Sequence, residues 1–207
     1  MSKVIVVDLD GTLVNVNTFH KWMIFLFKKS LSHNLLDSIK ILKIISLRLV
    51  KLNTHKQMKY RILQISENTR YKNYIDEFVN ELETYINNEV LEYTKENNTI
   101  TILATAAPAL YAESIANKYA FTYCLATPET STKKWFENIK ERKRESLEKL
   151  LNVEQLTKVD IVLSDHHDDI PIMEMAESVF LVNASLDTKA ILKKDGLDYL
   201  IISNIDS

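Results

Sequence analysis

Glycine is almost missing from this chain. Gly11 and Gly196 are the only two in 207 residues, which excludes the glycine-rich phosphate loops of nucleotide-binding folds. Cysteine is scarcer still. With Cys124 alone, an internal disulfide and a thiolate metal site are both ruled out. Set in the apolar stretch "FTYCLAT", Cys124 reads as a small buried hydrophobe. There is no excess of basic charge either. A formal net charge of −2 and a pI near 6.2 give no overall basic surface for nucleic acid. Internal repeats, low-complexity segments and Pro/Gly-rich linkers are also lacking. No leader-like stretch precedes "MSKVIVVDLD", which runs straight into an apolar strand, so a cytoplasmic location is expected.

What is present is an ordinary globular composition, 46% hydrophobic and 26% charged, enough for one domain or a domain with a sizeable insertion. Short β-branched runs recur at residues 3–9, 99–105, 121–127, 159–164, 178–183 and 198–202. From residue 99 onward they alternate with helical patterns at 108–118 and 139–152. This predicts an α/β fold, a doubly wound parallel sheet. Residues 16–97 break the alternation with helical signal alone; Ile75, Phe78, Val79, Leu82, Ile86, Val90 and Leu91 follow helical spacing. The expected organisation is an α/β core of residues 1–15 and 98–207, with an all-helical cap at 16–97 inserted over the strand ends. Short hinges are expected near 14–18 and 95–99.

The chemistry concentrates at the ends of two strands. "VIVVDLDGTLV" puts Asp8 and Asp10 directly after a run that reads as a strand buried on both faces. Carboxylates are costly inside such a strand and tolerable at its end, where open α/β sheets bind ligands. Gly11 then permits a tight turn and a close approach by a ligand. Two neighbouring acids can divide labour, one as an ionised nucleophile and metal ligand, the other as proton donor and acceptor. The plain alternative is a strand-end turn with solvated aspartates. Yet Asp-x-Asp-Gly-Thr arises by chance in only roughly one window in 10⁵. In "IVLSDHHDDIPIMEMA", Asp165 follows another strand, and Asp168 and Asp169 follow on the next turn. If the two strands are neighbours, three or four carboxylates converge, and they repel unless a cation neutralises them. An all-oxygen donor set suits Mg²⁺. His166 and His167, on a loop without a second His pair at helical spacing, read as surface residues.

The sequence at this point resembles the haloacid dehalogenase superfamily, over residues 3–14 and 99–183. "DLDGTLV", "TILATAAP", "NIKERKRESLEKLL" and "LSDHHDDIP" match the family's four motifs in the family's order. The resemblance implies that Asp8 is the nucleophile that becomes an aspartyl-phosphate and Asp10 the general acid/base. It implies that Thr105, with Ala106 beside it, binds the phosphoryl group. Lys143, four residues before Leu147, would stabilise the phosphoryl oxygens; Lys133, Lys134 and Lys140 compete for that role. Mg²⁺ would be held by Asp8, by Asp10 through its backbone carbonyl, and by Asp165, with Asp169 assisting through water or by orienting Lys143. Ser164 stands where the family usually has glycine, a small-for-small change expected to matter little. The implied activity is a Mg²⁺-dependent phosphatase acting on a phosphorylated small molecule or a lipid-like phosphate, or a phosphotransferase using the same intermediate. The insertion resembles the helical cap of the phosphoserine phosphatase branch, but Asn17 replaces that branch's substrate-binding glutamate and Ala106-Ala107 its Gly-Gly. A different substrate is therefore expected, with Asn17 at the position facing it.

Between residues 19 and 60 lie nine basic residues and a single acid, Asp37. The apolar run around Trp22 and Phe25 interleaves with them, and its uncharged stretches are too short to span a bilayer. The simpler expectation is an apolar stripe packed inward, with lysines facing water and steering anionic substrate. Contact with an anionic membrane is the other. The remaining alternative to an enzyme is a catalytically idle module on this fold, using the basic cap at a membrane or protein partner; an idle site has no need of all six of Asp8, Asp10, Thr105, Lys143, Asp165 and Asp169.

Overall fold

The computed structural model describes residues 2–96 and 98–202, so Asn97 of the anticipated second hinge and the last five residues of the expected core lie outside the described residues. The chain begins with β1 (Lys3–Val7). A helical block follows, comprising α1 (Thr18–His33), α2 (Leu35–Leu49), α3 (His55–Ser66), α4 (Thr69–Lys72), α5 (Ile75–Glu81) and α6 (Asn88–Thr94). Strand and helix then alternate: β2 (Thr99–Pro108), α7 (Ala109–Lys118), β3 (Tyr123–Thr127), α8 (Glu141–Val153), β4 (Val159–Ser164), α9 (Ile170–Met173), β5 (Ala176–Val182), α10 (Leu186–Lys194) and β6 (Leu200–Ile202). The six strands form one sheet in the order β3-β2-β1-β4-β5-β6, with every pairing parallel. This is the doubly wound arrangement. Its strand order reverses at β1, so the carboxyl ends of β1 and its neighbours form the crevice where such sheets bind ligands.

The alternation of β1 side chains explains why Val4 to Val7 are all apolar. Ile5 and Val7 face a core shared with Leu103, Leu163 and Tyr111, whereas Val4 and Val6 face a second core with Ile102, Val162, Leu147 and Leu192. All four β1 residues are at most 2% exposed. The first core runs without a break into the helical block, where Trp22 packs against Phe25, Phe78 and Tyr111 and donates its Nε1–H to Ser66 Oγ at 2.8 Å.

The helical spacing over 75–91 does not produce one helix. It is interrupted between α5 and α6, where Ile86 bridges Val14 in antiparallel fashion. Asn15 N–H donates to Tyr85 O and Asn87 N–H to Leu13 O, each at 2.8–2.9 Å, and the Asn87 side chain caps α6. The apolar period survives because a 3₁₀ turn at Glu83–Tyr85 keeps the same face inward. No helix among the described residues is long and apolar enough to cross a membrane.

Candidate active site

Asp8 is the first residue beyond β1. Its N–H still donates to Leu163 O of β4 at 3.0 Å, and its carbonyl accepts from Leu13 as the chain turns back. Gly11 makes that turn possible at φ +81°. A Cβ there would lie 2.2 Å from Asp165 Oδ2 and 2.6 Å from Asp165 Cγ. The loop after β1 and the acid after β4 thus share a space that only glycine leaves open.

Asp8, Asp10, Asn17, Thr105, Ala106, Lys143, Asp165 and Asp169 all border one cavity of about 250 Å³, together with Ile139, His166 and Asp168. Lys143, on the first turn of α8 and 2% exposed, is the lysine brought into it. Its Nζ lies 2.8 Å from Asp8 Oδ1 and 2.5 Å from Asp169 Oδ1. Lys133 and Lys134 are exposed, and Lys140 pairs with Asp168 at the rim. Burial works against the Lys143 charge, but Asp169 and Asp8 outweigh it and hold the ammonium above the usual lysine range.

The acids are set apart by their partners. Asp10 Oδ1 accepts the N–H of Thr18 at 2.7 Å, in the first turn of α1. Burial nonetheless raises its carboxyl above the ordinary value, against the Thr18 bonds. Burial likewise pushes Asp8 well up; Lys143 opposes this, and Asp169 and Asp165 add to the rise. Asp165 is pushed up to about 7, by burial first and by Asp169 next. Both oxygens of Asp169 are engaged, Oδ1 by Lys143 and Oδ2 by the Ser164 hydroxyl at 2.7 Å. Of the two roles expected of Asp169, assisting the metal through water or orienting Lys143, this geometry is that of a group orienting Lys143. It corrects the expectation for Ser164, since a glycine there could not make this bond.

Thr105, 1% exposed, accepts Ala107 N–H on its Oγ1 at 2.9 Å. Its carbonyl is fixed by Asn138 Nδ2, which also reaches Leu125 O. Asn17 caps α1 through its Oδ1, taking His20 N–H at 2.8 Å, which leaves both protons of its amide nitrogen for a ligand. The His166 and His167 rings lie 4.0 Å apart, tilted, and with Asp168 place ligand-type atoms within 4.8 Å of one another; His166 is exposed as expected, whereas His167 is half-buried.

Lys59 was not singled out from the sequence, where the lysines of 19–60 read as facing water. It is 4% exposed. From α3 its Nζ donates to Ala106 O at 3.2 Å, pairs with Glu137 and lies 5.4 Å from the Phe19 ring centre. Its spacing of one residue after Met58 and three before Ile62, both buried, was the available signal.

The model of one protein family, the haloacid dehalogenase-like hydrolases, matches residues 5–174. No curated protein matches the chain. Among solved structures, a protein of unknown function from Bordetella pertussis Tohama I is 15% identical, covers 97% of this chain and 99% of its own, and superposes with a TM-score of 0.78. A HAD family hydrolase from Salmonella enterica serovar Typhi is 13% identical over 91% of this chain and 65% of its own, with a TM-score of 0.64. A phosphoserine phosphatase, solved as a phospho-aspartyl intermediate analogue, is 18% identical over 98% of this chain and 94% of its own, with a TM-score of 0.60. At these identities the likeness is one of fold.

Proposed function

The chain belongs to the haloacid dehalogenase-like hydrolases, and from that premise we propose that it hydrolyses a phosphomonoester through an aspartyl-phosphate on Asp8. The observation that carries this reading is the ammonium of Lys143 held between Asp8 and Asp169, at 2.8 and 2.5 Å, beside an Asp10 kept apart by Thr18. Lys143 engages Oδ1 of Asp8 and leaves Oδ2 to attack phosphorus in line with the leaving oxygen. Asp10, whose raised carboxyl retains a proton more readily than an exposed aspartate, gives that proton to the leaving alcohol. As a carboxylate it then takes a proton from the water that attacks the phosphoryl group, which frees Asp8 and releases phosphate. Lys143 and the Thr105 hydroxyl hold the phosphoryl oxygens through both halves, so catalysis is mainly positioning and charge stabilisation.

The donor set fits a hard divalent cation. Asp8 and Asp165 are acids raised first by burial, with the charge of Asp169 adding to the rise in both, and no cationic side chain pairs with Asp165 among the described residues. Asp8, Asp165 and the Asp10 carbonyl would hold Mg²⁺, which supplies positive charge to the phosphate and to the acids around it. The helical block, bordering the cavity through Asn17 and bonded to Asp10 through Thr18, serves as a cap over it, and residues 16–97 are its extent. The substrate is a phosphorylated small molecule, and a cytoplasmic setting accords with this chemistry.

Phosphate release from an aryl phosphate, with Mg²⁺ and with excess chelator, tests the reading. Asp8→Asn is expected to lower kcat by at least about 10³-fold, and chelation to abolish activity reversibly. A folded Asp8→Asn protein with wild-type turnover overturns it, and an idle module is then the reading left.

A further inference from the structure

Helix α2 is apolar on two faces, and only one of them is packed. Ile41 and Ile44 are buried toward the rest of the block, which α2 meets chiefly through α1 and α3. On another face, Leu35, Ile39, Leu42 and Leu49 follow one another at spacings of four, three and seven, a single helical stripe. They are 65%, 62%, 50% and 76% exposed. Leu36 on the helix and Val50 and Leu52 in the turn beyond it extend the patch, each more than 60% exposed. Exposed lysines flank it: Lys43 beside the stripe, Lys51 at the turn, and Lys40, whose Nζ also reaches Asp37 at 3.1 Å. Between α2 and α3 a groove of about 490 Å³ is walled by Lys40, Lys43 and Arg61 with Ile44, Leu47 and Ile65, and no acid lines it.

We propose that this face of α2 docks the protein on an anionic lipid surface, the aliphatic stripe entering the headgroup–acyl boundary and Lys43, Lys51, Lys40 and Arg61 contacting lipid phosphates. Charge complementarity selects this occupant. The only acid of residues 19–60, Asp37, is buried, so the exposed face is purely cationic. A second copy would set lysine against lysine. Protein interfaces favour aromatic residues, methionine and arginine and are poor in lysine, whereas aliphatic side chains edged by lysines make an interfacial helix. The simpler expectation, an apolar stripe packed inward with lysines facing water, describes Trp22, Phe25, Ile41 and Ile44 and leaves the second apolar face of α2 unaccounted for. The inference is independent of the catalytic reading, because none of these residues borders the cavity that holds Asp8.

Co-sedimentation of the full chain with vesicles of phosphatidylcholine, with and without one third phosphatidylglycerol, tests it. Binding is expected only to the anionic vesicles at 50 mM salt and is expected to be largely lost at 500 mM. Each lysine near such a surface contributes about fivefold in partitioning. Lys43→Glu/Lys51→Glu should therefore weaken binding by at least about twentyfold. Ile39→Asp/Leu42→Asp should weaken it comparably, with aryl phosphatase activity and the circular dichroism spectrum unchanged. No binding to anionic vesicles overturns the proposal. So does binding that survives Ile39→Asp/Leu42→Asp, which would be charge attraction alone, or a dimer in solution that this variant dissociates, which would assign the face to a second copy.

Discussion

Ser164 shows how one hydroxyl can govern a charged site without touching what reacts. It donates to Asp169 Oδ2 at 2.7 Å and accepts His166 N–H at 3.3 Å, while Asp169 holds Lys143 with its other oxygen. Removing the donor leaves a buried acceptor unsatisfied, a cost of about 1–3 kcal/mol. Part of that cost falls on the alignment of Lys143 against Asp8. Ser164→Ala should lower kcat about tenfold with KM little altered, and Ser164→Thr should retain most activity. Steady-state kinetics on both variants decide the matter, and an unchanged kcat in Ser164→Ala would show that Asp169 orients Lys143 unaided. The residues legible in the sequence differ from Ser164 in kind. Asp8, Asp10 and Asp165 lie just past strand ends, where local pattern fixes their place at the crevice, and Thr105 near the end of β2 was implied by the family resemblance. What Ser164 bonds to depends on the turn that brings Asp169 back over it, and its size alone says nothing of that.

Among the elements, the strands were readable because apolar runs bounded by polar residues leave few alternatives in a sheet buried on both faces. The block between β1 and β2 was readable as helical but not in its joints. The break at Leu82–Asn87 follows from Ile86 pairing with Val14, a contact between residues 72 positions apart. The corner between α1 and α2 is another such joint, and it turns on Asp37. That carboxylate takes hydrogen bonds from Asn34 Nδ2 at 2.8 Å, Tyr71 Oη at 3.0 Å and Lys40 Nζ at 3.1 Å. Burial alone would raise its pKa, but the bonds from Lys40, Tyr71 and Asn34 prevail and hold it below the ordinary value. A carboxyl whose folded pKa is depressed binds its proton more weakly than in the unfolded chain, near 3.9. It therefore adds stability above about pH 4, and that contribution disappears as pH falls through the folded value. Asp37→Asn should accordingly be less stable than wild type at pH 6, by about 1 kcal/mol, and the gap should close near pH 3. Urea denaturation of both proteins across this range measures it; a gap that does not vary with pH would mean that the charge of Asp37 contributes nothing.

At the scale of the whole molecule, an ion pair with a buried lysine close to the cavity adds to the continuous apolar core that joins the helical block to the sheet. Lys59 of α3 pairs with Glu137 of the segment before α8 and donates to Ala106 O at the end of β2. Composition could not reveal this, because Lys59 is one of eight lysines in residues 19–60; its spacing from Met58 and Ile62 marks it as facing inward, and only the docking of α3 onto the strand ends decides what it meets. Two roles are superposed in the pair. As a joint it stabilises the union of block and sheet, and as a charge Lys59 favours the ionised form of Asp10 and, on the proposed reading, would favour the binding of a phosphate dianion. A double-mutant cycle separates them. Lys59→Met leaves Glu137 only His55, at 3.8 Å, and Glu137→Gln leaves the buried Lys59 only the Ala106 carbonyl, each costing about 1–3 kcal/mol of stability, whereas the double variant should lose much less than the sum. Kinetics should divide differently. KM for an aryl phosphate should rise in Lys59→Met and stay raised in the double variant, because both lack the positive charge, while Glu137→Gln alone should not raise it. If stability and KM instead recover together in the double variant, the pair is a joint only, and the charge that receives the phosphate is that of Lys143.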